Sequence, residues 1–306
     1  MRVGIVGLGG IAERVYLPYL TARPGVDVIG ITSRTAARVA EVAARYRVPP
    51  REDLDALLAA GPDVVFVAAA TAAHPPLVAA CLDRGMPVYV EKPLATDVAV
   101  AEDLARRAAR RRTLLAVGFN RRFAPLVLAA RDWVGTVEYA YAAKHRPAVD
   151  PAPAAHTVHD DLIHLVDLLV WLLGPDAELA GYVQRTDPDG RLRLAAGTLT
   201  AGDATGQFAM HRPAGADRES LVLSGPDGDG GRQAEVTDLE RAVLAGGGER
   251  RERGFGGWEG IVTRRGFAGA IEHVLGTLAD PEGCVLSAER TLPTHRLTGR
   301  LLASAG

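Results

Sequence analysis

The chain is 306 residues long, 48% hydrophobic and 24% charged, a balance that suits one large or two medium domains and excludes a disordered or low-complexity protein. Its 35 Lys+Arg against 37 Asp+Glu leave a formal net charge of -2, which argues against a globally basic nucleic-acid binder. Two distant cysteines, Cys81 and Cys284, exclude a disulfide framework and a cysteine-ligated zinc, and apolar runs such as 64–70 fall far short of the roughly 20 residues of a membrane span. The chain opens directly on a strand and glycine turn with no basic-then-apolar leader, so a cytoplasmic location is expected.

The first 118 residues alternate strand-sized apolar runs (3–6, 26–31, 64–67, 88–90 and 114–117) with stretches of helical spacing (11–21, 35–46, 54–60, 76–84 and 98–111). Strands that read as continuous apolar runs are buried on both faces. Helical crossovers between them imply a doubly wound parallel sheet, the α/β class. Gly7, Gly9, Gly10, Ile11 and Ala12 lie in a G-x-G-x-x-A turn between the first strand and the first helix. The first glycine permits the turn and the second lets the backbone approach a pyrophosphate. The small third residue lets helix and strand pack closely, and the helix start offers N–H donors. A dinucleotide is therefore the expected cofactor. The second strand runs into Ser33 and Arg34 where NAD-binding chains carry an acid, and a hydroxyl beside a guanidinium suits a 2′-phosphate, so NADP is favoured over NAD.

Glu91-Lys92-Pro93 follows the fourth strand, at the strand end where open α/β sheets bind ligands. Only Lys92 and Lys144 among the 35 basic residues are lysines, and Asn120 is the single asparagine. In so biased a composition, a rare residue type that survives points to needed chemistry.

The pattern changes near residue 120, which sets the expected boundary between domains 1–120 and 121–306. A helix over 123–133 precedes a strand over 136–144, and a strong helix over 160–173 ends at Gly174-Pro175. Short strands then follow one another at 178–185, 192–200, 205–211 and 220–223, as in a mostly antiparallel sheet. The glycine-rich stretches 225–231 and 246–257 are expected to be exposed loops, and helices return at 260–278 and 287–302. In the helix over 160–173, Asp160 and His164 are four apart and share a face; Asp167 lies behind them, and Asp161 is placed facing the helix N-terminus. A carboxylate beside an imidazole raises its basicity and orients it, which suits a general base near neutral pH. His156, His159 and His164 do not share one helical face and no H-E-x-x-H is present, so no metal is expected.

These motifs fall in one order: the glycine turn, Ala70-Thr71 with His74, Glu91-Lys92-Pro93, Gly118-Phe119-Asn120-Arg121-Arg122-Phe123, and Asp160, His164 and Asp167. In that order the sequence resembles the Gfo/Idh/MocA family of NAD(P)-dependent oxidoreductases. The resemblance implies an N-terminal Rossmann domain and a C-terminal α/β domain on a large, open, mostly antiparallel sheet. Through that sheet, relatives form homodimers or homotetramers. It implies that Lys92 contacts the nicotinamide ribose and the substrate oxygen, that Asp160 holds the substrate hydroxyl and the imidazole, and that His164 moves the proton. Thr71, His74, Glu91, Pro93, Asn120 and Arg122 would line the cofactor and the mouth of the site. The expected substrate is a small molecule, the secondary alcohol or ketone of a sugar, cyclitol or related metabolite, with no nucleic-acid or membrane partner. A non-catalytic NAD(P)-dependent sensor and an NAD-dependent glycosidase are the alternatives on the same fold. Where the family commonly has small residues, this chain carries His156-Thr157-Val158-His159 and Leu162, which would reshape the pocket.

Overall fold

A computed structural model describes every residue except Asp229 and Gly306. The chain divides into two compact units: Met1–Phe119 with Ala270–Leu292, and Asn120–Gly269 with Pro293–Gly306. The chain-order expectation that 121–306 stays together is therefore amended, because 270–292 returns to the first unit.

In the first unit, β1 (Arg2–Val6), β2 (Asp27–Thr32), β3 (Val64–Val67), β4 (Val88–Val90) and β5 (Leu115–Val117) form a parallel sheet of order β2-β1-β3-β4-β5. Val64 to Val67 are no more than 1% exposed, which is why the run lacks polar alternation. A single parallel bridge from Ile31 to Pro50 extends the outer side of β2. It completes the strand order of a dinucleotide-binding sheet, in which the chain reverses direction beside β1 and opens a crevice at the strand C-termini. The returning segment is tied in by Val117 N–H donating to the Leu286 carbonyl at 2.8 Å and by Tyr19 and Arg23 donating to Glu272, Arg23 Nη2 at 2.6 Å.

The second unit holds β6 (Tyr139–His145), β7 (Glu178–Thr186), β8 (Leu192–Ala201), β9 (Ala204–His211), β10 (Arg218–Asp227), β11 (Gly230–Thr237), β12 (Arg241–Gly246) and β13 (Glu249–Gly254). They form one sheet of order β13-β12-β11-β10-β6-β9-β8-β7, antiparallel at every step but β6–β9. The glycine-rich stretches read as loops are corrected here: 225–227 and 230–231 lie in strands, as do Gly246 and 249–254. Those strands are hard to read because β13 (Glu-Arg-Arg-Glu-Arg-Gly) is exposed throughout and carries no apolar alternation. Ala140, Ala142, Phe208, Met210, Leu221 and Leu223 point to one face and pack with the helices Pro125–Val134 and Ile163–Leu173 in the core. The helical stretch expected over 260–278 is two helices, Ile261–Arg264 and Phe267–Gly276, broken at Gly266. There φ is +81° and a Cβ would lie 2.3 Å from the Asn120 carbonyl oxygen.

Candidate active site

In the first unit the glycine turn is built for a close backbone approach. Gly7 has φ +91°, and a Cβ there would sit 2.5 Å from the Ala69 nitrogen of the loop after β3. Its N–H donates to the Thr32 carbonyl at 2.9 Å, so the ends of β1, β2 and β3 are held together. Gly9 and Gly10 are exposed, and a Cβ on either would meet nothing within 4 Å. Bare backbone faces open space there, which is the surface a pyrophosphate needs. Ile11 is half-buried and Ala12 fully buried at the start of the following helix, which has a π-turn over Ala12–Tyr16.

Ser33 and Arg34 line a cavity of about 320 Å³ at the end of β2, together with Pro50, Arg51 and Glu52. Arg51 donates from Nη2 to the Ile29 carbonyl at 2.8 Å, and its buried Nε has no hydrogen-bond partner among the described residues. Sequence spacing does not flag Arg51, since only the Pro50 bridge brings it to β2.

The loops after β3 and β4 are stapled by His74. It is 1% exposed, with Nδ1 2.8 Å from the Pro93 carbonyl oxygen and Nε2 3.0 Å from that of Ala69. Burial lowers its pKa below the ordinary imidazole value. His74 thus shapes the crevice from behind. Half-buried Thr71 opens the short helical turn before it. Glu91 is 8% exposed and accepts a hydrogen bond from the Tyr16 hydroxyl. Burial, and after it the Glu91 charge, hold the Tyr16 phenol well above its usual range, so it remains a donor. Lys92 follows half-buried, joined to Pro93 by a cis peptide bond. Tyr16 is a supporting residue that no motif pointed to.

In the second unit, Asn120 is 3% exposed and donates from Nδ2 to the Arg265 carbonyl at 2.7 Å, bracing the turn at Gly266. Arg122 makes a bidentate pair with Asp167, Nε–Oδ2 2.9 Å and Nη2–Oδ1 2.6 Å, and Thr294 donates to the same carboxylate at 3.0 Å. Both charges are almost fully buried, so this pair fixes the short helical turn Asn120–Phe123 to the helix Ile163–Leu173.

Asp160 and His164 lie on a helix that begins at Ala154, passes through a π-turn at Val158–Leu162, and continues to Leu173. π-turns are rare and concentrate at functional sites. Asp160 is exposed, and His164 is 7% exposed one turn further on. The placement of Asp161 at a helix N-terminus is corrected: it lies inside the helix, 8% exposed, paired with Lys144, Arg146 and Arg212. Within the π-turn Asp160 is exposed to solvent and Asp161 is buried. Burial raises the Asp161 pKa, but the Lys144 charge and the hydrogen bonds from Lys144 and Arg146 outweigh it and hold the carboxyl well below its usual range.

Among known proteins, residues 1–119 match the model of an oxidoreductase family with an NAD-binding Rossmann fold, and residues 125–243 match a YceM-like C-terminal domain. The chain is 34% identical over 313 residues to the putative oxidoreductase YceM of Salmonella typhimurium, an alignment covering 100% of this chain and 98% of that one. It is 30% identical over 331 residues to the myo-inositol dehydrogenase Hyg17 of Streptomyces leeuwenhoekii, covering 95% of this chain and 97% of the relative. The crystal structure of the dehydrogenase MviM from Clostridium difficile superposes with a TM-score of 0.92 at 25% identity, over 100% of this chain and 99% of that one.

Proposed function

The chain belongs to the Gfo/Idh/MocA family of NAD(P)-dependent oxidoreductases, and from that membership we propose that it interconverts a secondary alcohol and its ketone on a sugar, cyclitol or related metabolite. The observation that carries the reading is the bare glycine cradle at the crevice end of β1, where a Cβ on Gly9 or Gly10 would meet nothing within 4 Å and exposed backbone leaves room for a pyrophosphate. A relative named as a myo-inositol dehydrogenase supports the polyol class.

The bound nicotinamide nucleotide supplies the hydride acceptor, or the donor in reverse. His164 takes the hydroxyl proton at the substrate oxygen as the carbon loses its hydride. Asp160 holds that hydroxyl and the imidazole, and the Lys92 ammonium is the cation proposed to stabilise developing charge. The protein contributes position and fixed charge. NADP is the favoured nucleotide, because Ser33, Arg34 and Arg51 offer a hydroxyl and two guanidinium groups in one cavity.

A homodimer or homotetramer through the large sheet is the expected assembly. Support comes from the face opposite the core, where Tyr139 and Val183 are more than a third exposed. No helix among the described residues is long and apolar enough to cross a membrane.

The deciding experiment identifies any nucleotide that copurifies, then follows a panel of polyols and keto-sugars through the absorbance of reduced nicotinamide. No turnover of any member with either nucleotide overturns the reading.

A further inference from the structure

The second unit holds a cluster of charge that no motif accounts for. The core-facing side of β6 runs Ala140, Ala142, Lys144, and the chain continues past the strand to Arg146, so two small apolar residues give way to two cations. Lys144 is 2% exposed and Arg212 is 7% exposed. Both pair with Asp161, as does half-buried Arg146 through contacts of 3.3 and 3.4 Å. Three cations therefore converge on one buried carboxylate.

A carboxylate has about four acceptor positions. Lys144, Arg212 and the two donors of Arg146 occupy those of Asp161. Arg212 Nε is buried with no hydrogen-bond partner among the described residues. The neighbouring Arg121–Glu219 pair, with Nη2–Oε2 at 3.0 Å, is itself neutral and cancels none of the excess. Asp217, which reaches Arg146, is 65% exposed and screened by water; Asp150, 3.7 Å from Arg212 and 29% exposed, is as sheltered as Arg146 at 27% and offsets it, which leaves Lys144 and Arg212 against Asp161, one buried cation in excess. Burying cations beyond the number of buried anions is costly unless another anion joins them. Burial, and then the Arg121 charge, lower the Lys144 ammonium to about 8 against the opposing pull of Glu219 and Asp161.

Resting on the oxidoreductase reading, we propose that Lys144, Arg146 and Arg212 form an oxyanion subsite of the substrate pocket, so that the alcohols this enzyme oxidises carry a carboxylate or phosphate. Asp161 anchors the subsite and directly follows Asp160 in the π-turn. Asp161, which those cations surround, lies three residues before His164 on the same helix, about 5 Å along its axis. That separation suits an acid group a few bonds from the reacting hydroxyl. Guanidinium groups present paired donors to such an oxyanion, and Lys144 adds a point charge.

Two measurements on the full chain test the proposal. The first is a kinetic panel with NADP⁺ and NAD⁺ comparing D-glucose, D-gluconate and D-glucose 6-phosphate, and glycerol, D-glycerate and glycerol 3-phosphate, so that carboxylate and phosphate form separate arms. One acidic arm should exceed its neutral partner by about 100-fold in kcat/KM. Arg146→Ala or Lys144→Met should remove most of that preference while nucleotide affinity stays within twofold. Equal rates on acidic and neutral members, or an equal loss on both in Arg146→Ala, overturn it. The second is calorimetric titration with inorganic phosphate and with malonate, which needs no turnover. One of the two should bind wild type and fail to bind Arg146→Ala, and binding of neither overturns the subsite even if every alcohol is turned over. Should no alcohol react while the oxyanion still binds, the oxidoreductase reading fails and the subsite stands. Arg146 sits half-buried past the strand end, so Arg146→Ala carries the test if Lys144→Met does not fold.

Discussion

At Glu219 a buried carboxylate and its guanidinium partner set how the protein meets acid. Burial raises the Glu219 pKa, but the charges of Arg121 and Lys144 prevail and bring it down to about 2. An unfolded Glu titrates near 4.3, so the folded protein holds its proton less tightly. The resulting stability is present above about pH 4 and lost as pH falls through about 2, worth on the order of 3 kcal/mol. Glu219→Gln should lower Tm at pH 7, and its deficit should shrink between pH 5 and 2; parallel Tm curves would refute the assignment. For the reaction, Lys92→Ala and His164→Ala should each reduce turnover by about 10²–10⁴-fold while nucleotide binding persists. Wild-type rates in both variants would remove these residues from the chemistry. Arg34→Ala should weaken NADP(H) by about tenfold or more and NAD(H) little, read by fluorescence titration. An equal loss for both nucleotides rejects a phosphate role.

Two glycines of one turn separate folding from binding at the level of the element. Gly7→Ala forces a left-handed φ of +91° and drives a Cβ against the Ala69 backbone. It should destabilise the protein by several kcal/mol, seen as a fall in Tm. Gly9→Ala meets nothing within 4 Å, so it should leave Tm nearly unchanged while raising the nucleotide Kd. The reverse pattern would show that the turn is a packing device alone. The same turn was legible in the sequence because its glycines answer to local backbone geometry. The π-turn at Val158–Leu162 was not legible, since the spacing of 160–173 reads as an ordinary helix. What draws Asp161 inward is a set of cations from β6, the residue just beyond it and the one just beyond β9, all distant in the chain. Strand β13 escaped for a related reason: exposed Arg, Glu and Gly leave no alternation, and its pairing with β12 supplies the order.

For the molecule as a whole, the first unit is discontinuous in the chain, with 270–292 packed back against Met1–Phe119. The Val117–Leu286 hydrogen bond and the Glu272 contacts to Tyr19 and Arg23 join the two pieces. A fragment of residues 1–119 should therefore lack a cooperative melting transition by circular dichroism. The same fragment joined by a linker to 270–292 should regain one, and a cooperative melt of 1–119 alone would refute the dependence. By itself the sequence determined the parallel sheet, the glycine cradle, and Lys92, Asp160 and His164 as candidates, because periodicity and short motifs report forces acting within a few residues. Only the tertiary structure decided that His74, Asn120 and Arg122 serve as braces, and that Lys144 faces Asp161. Burial and charge pairing across distant segments are settled when strands and helices meet, and no local spacing encodes them.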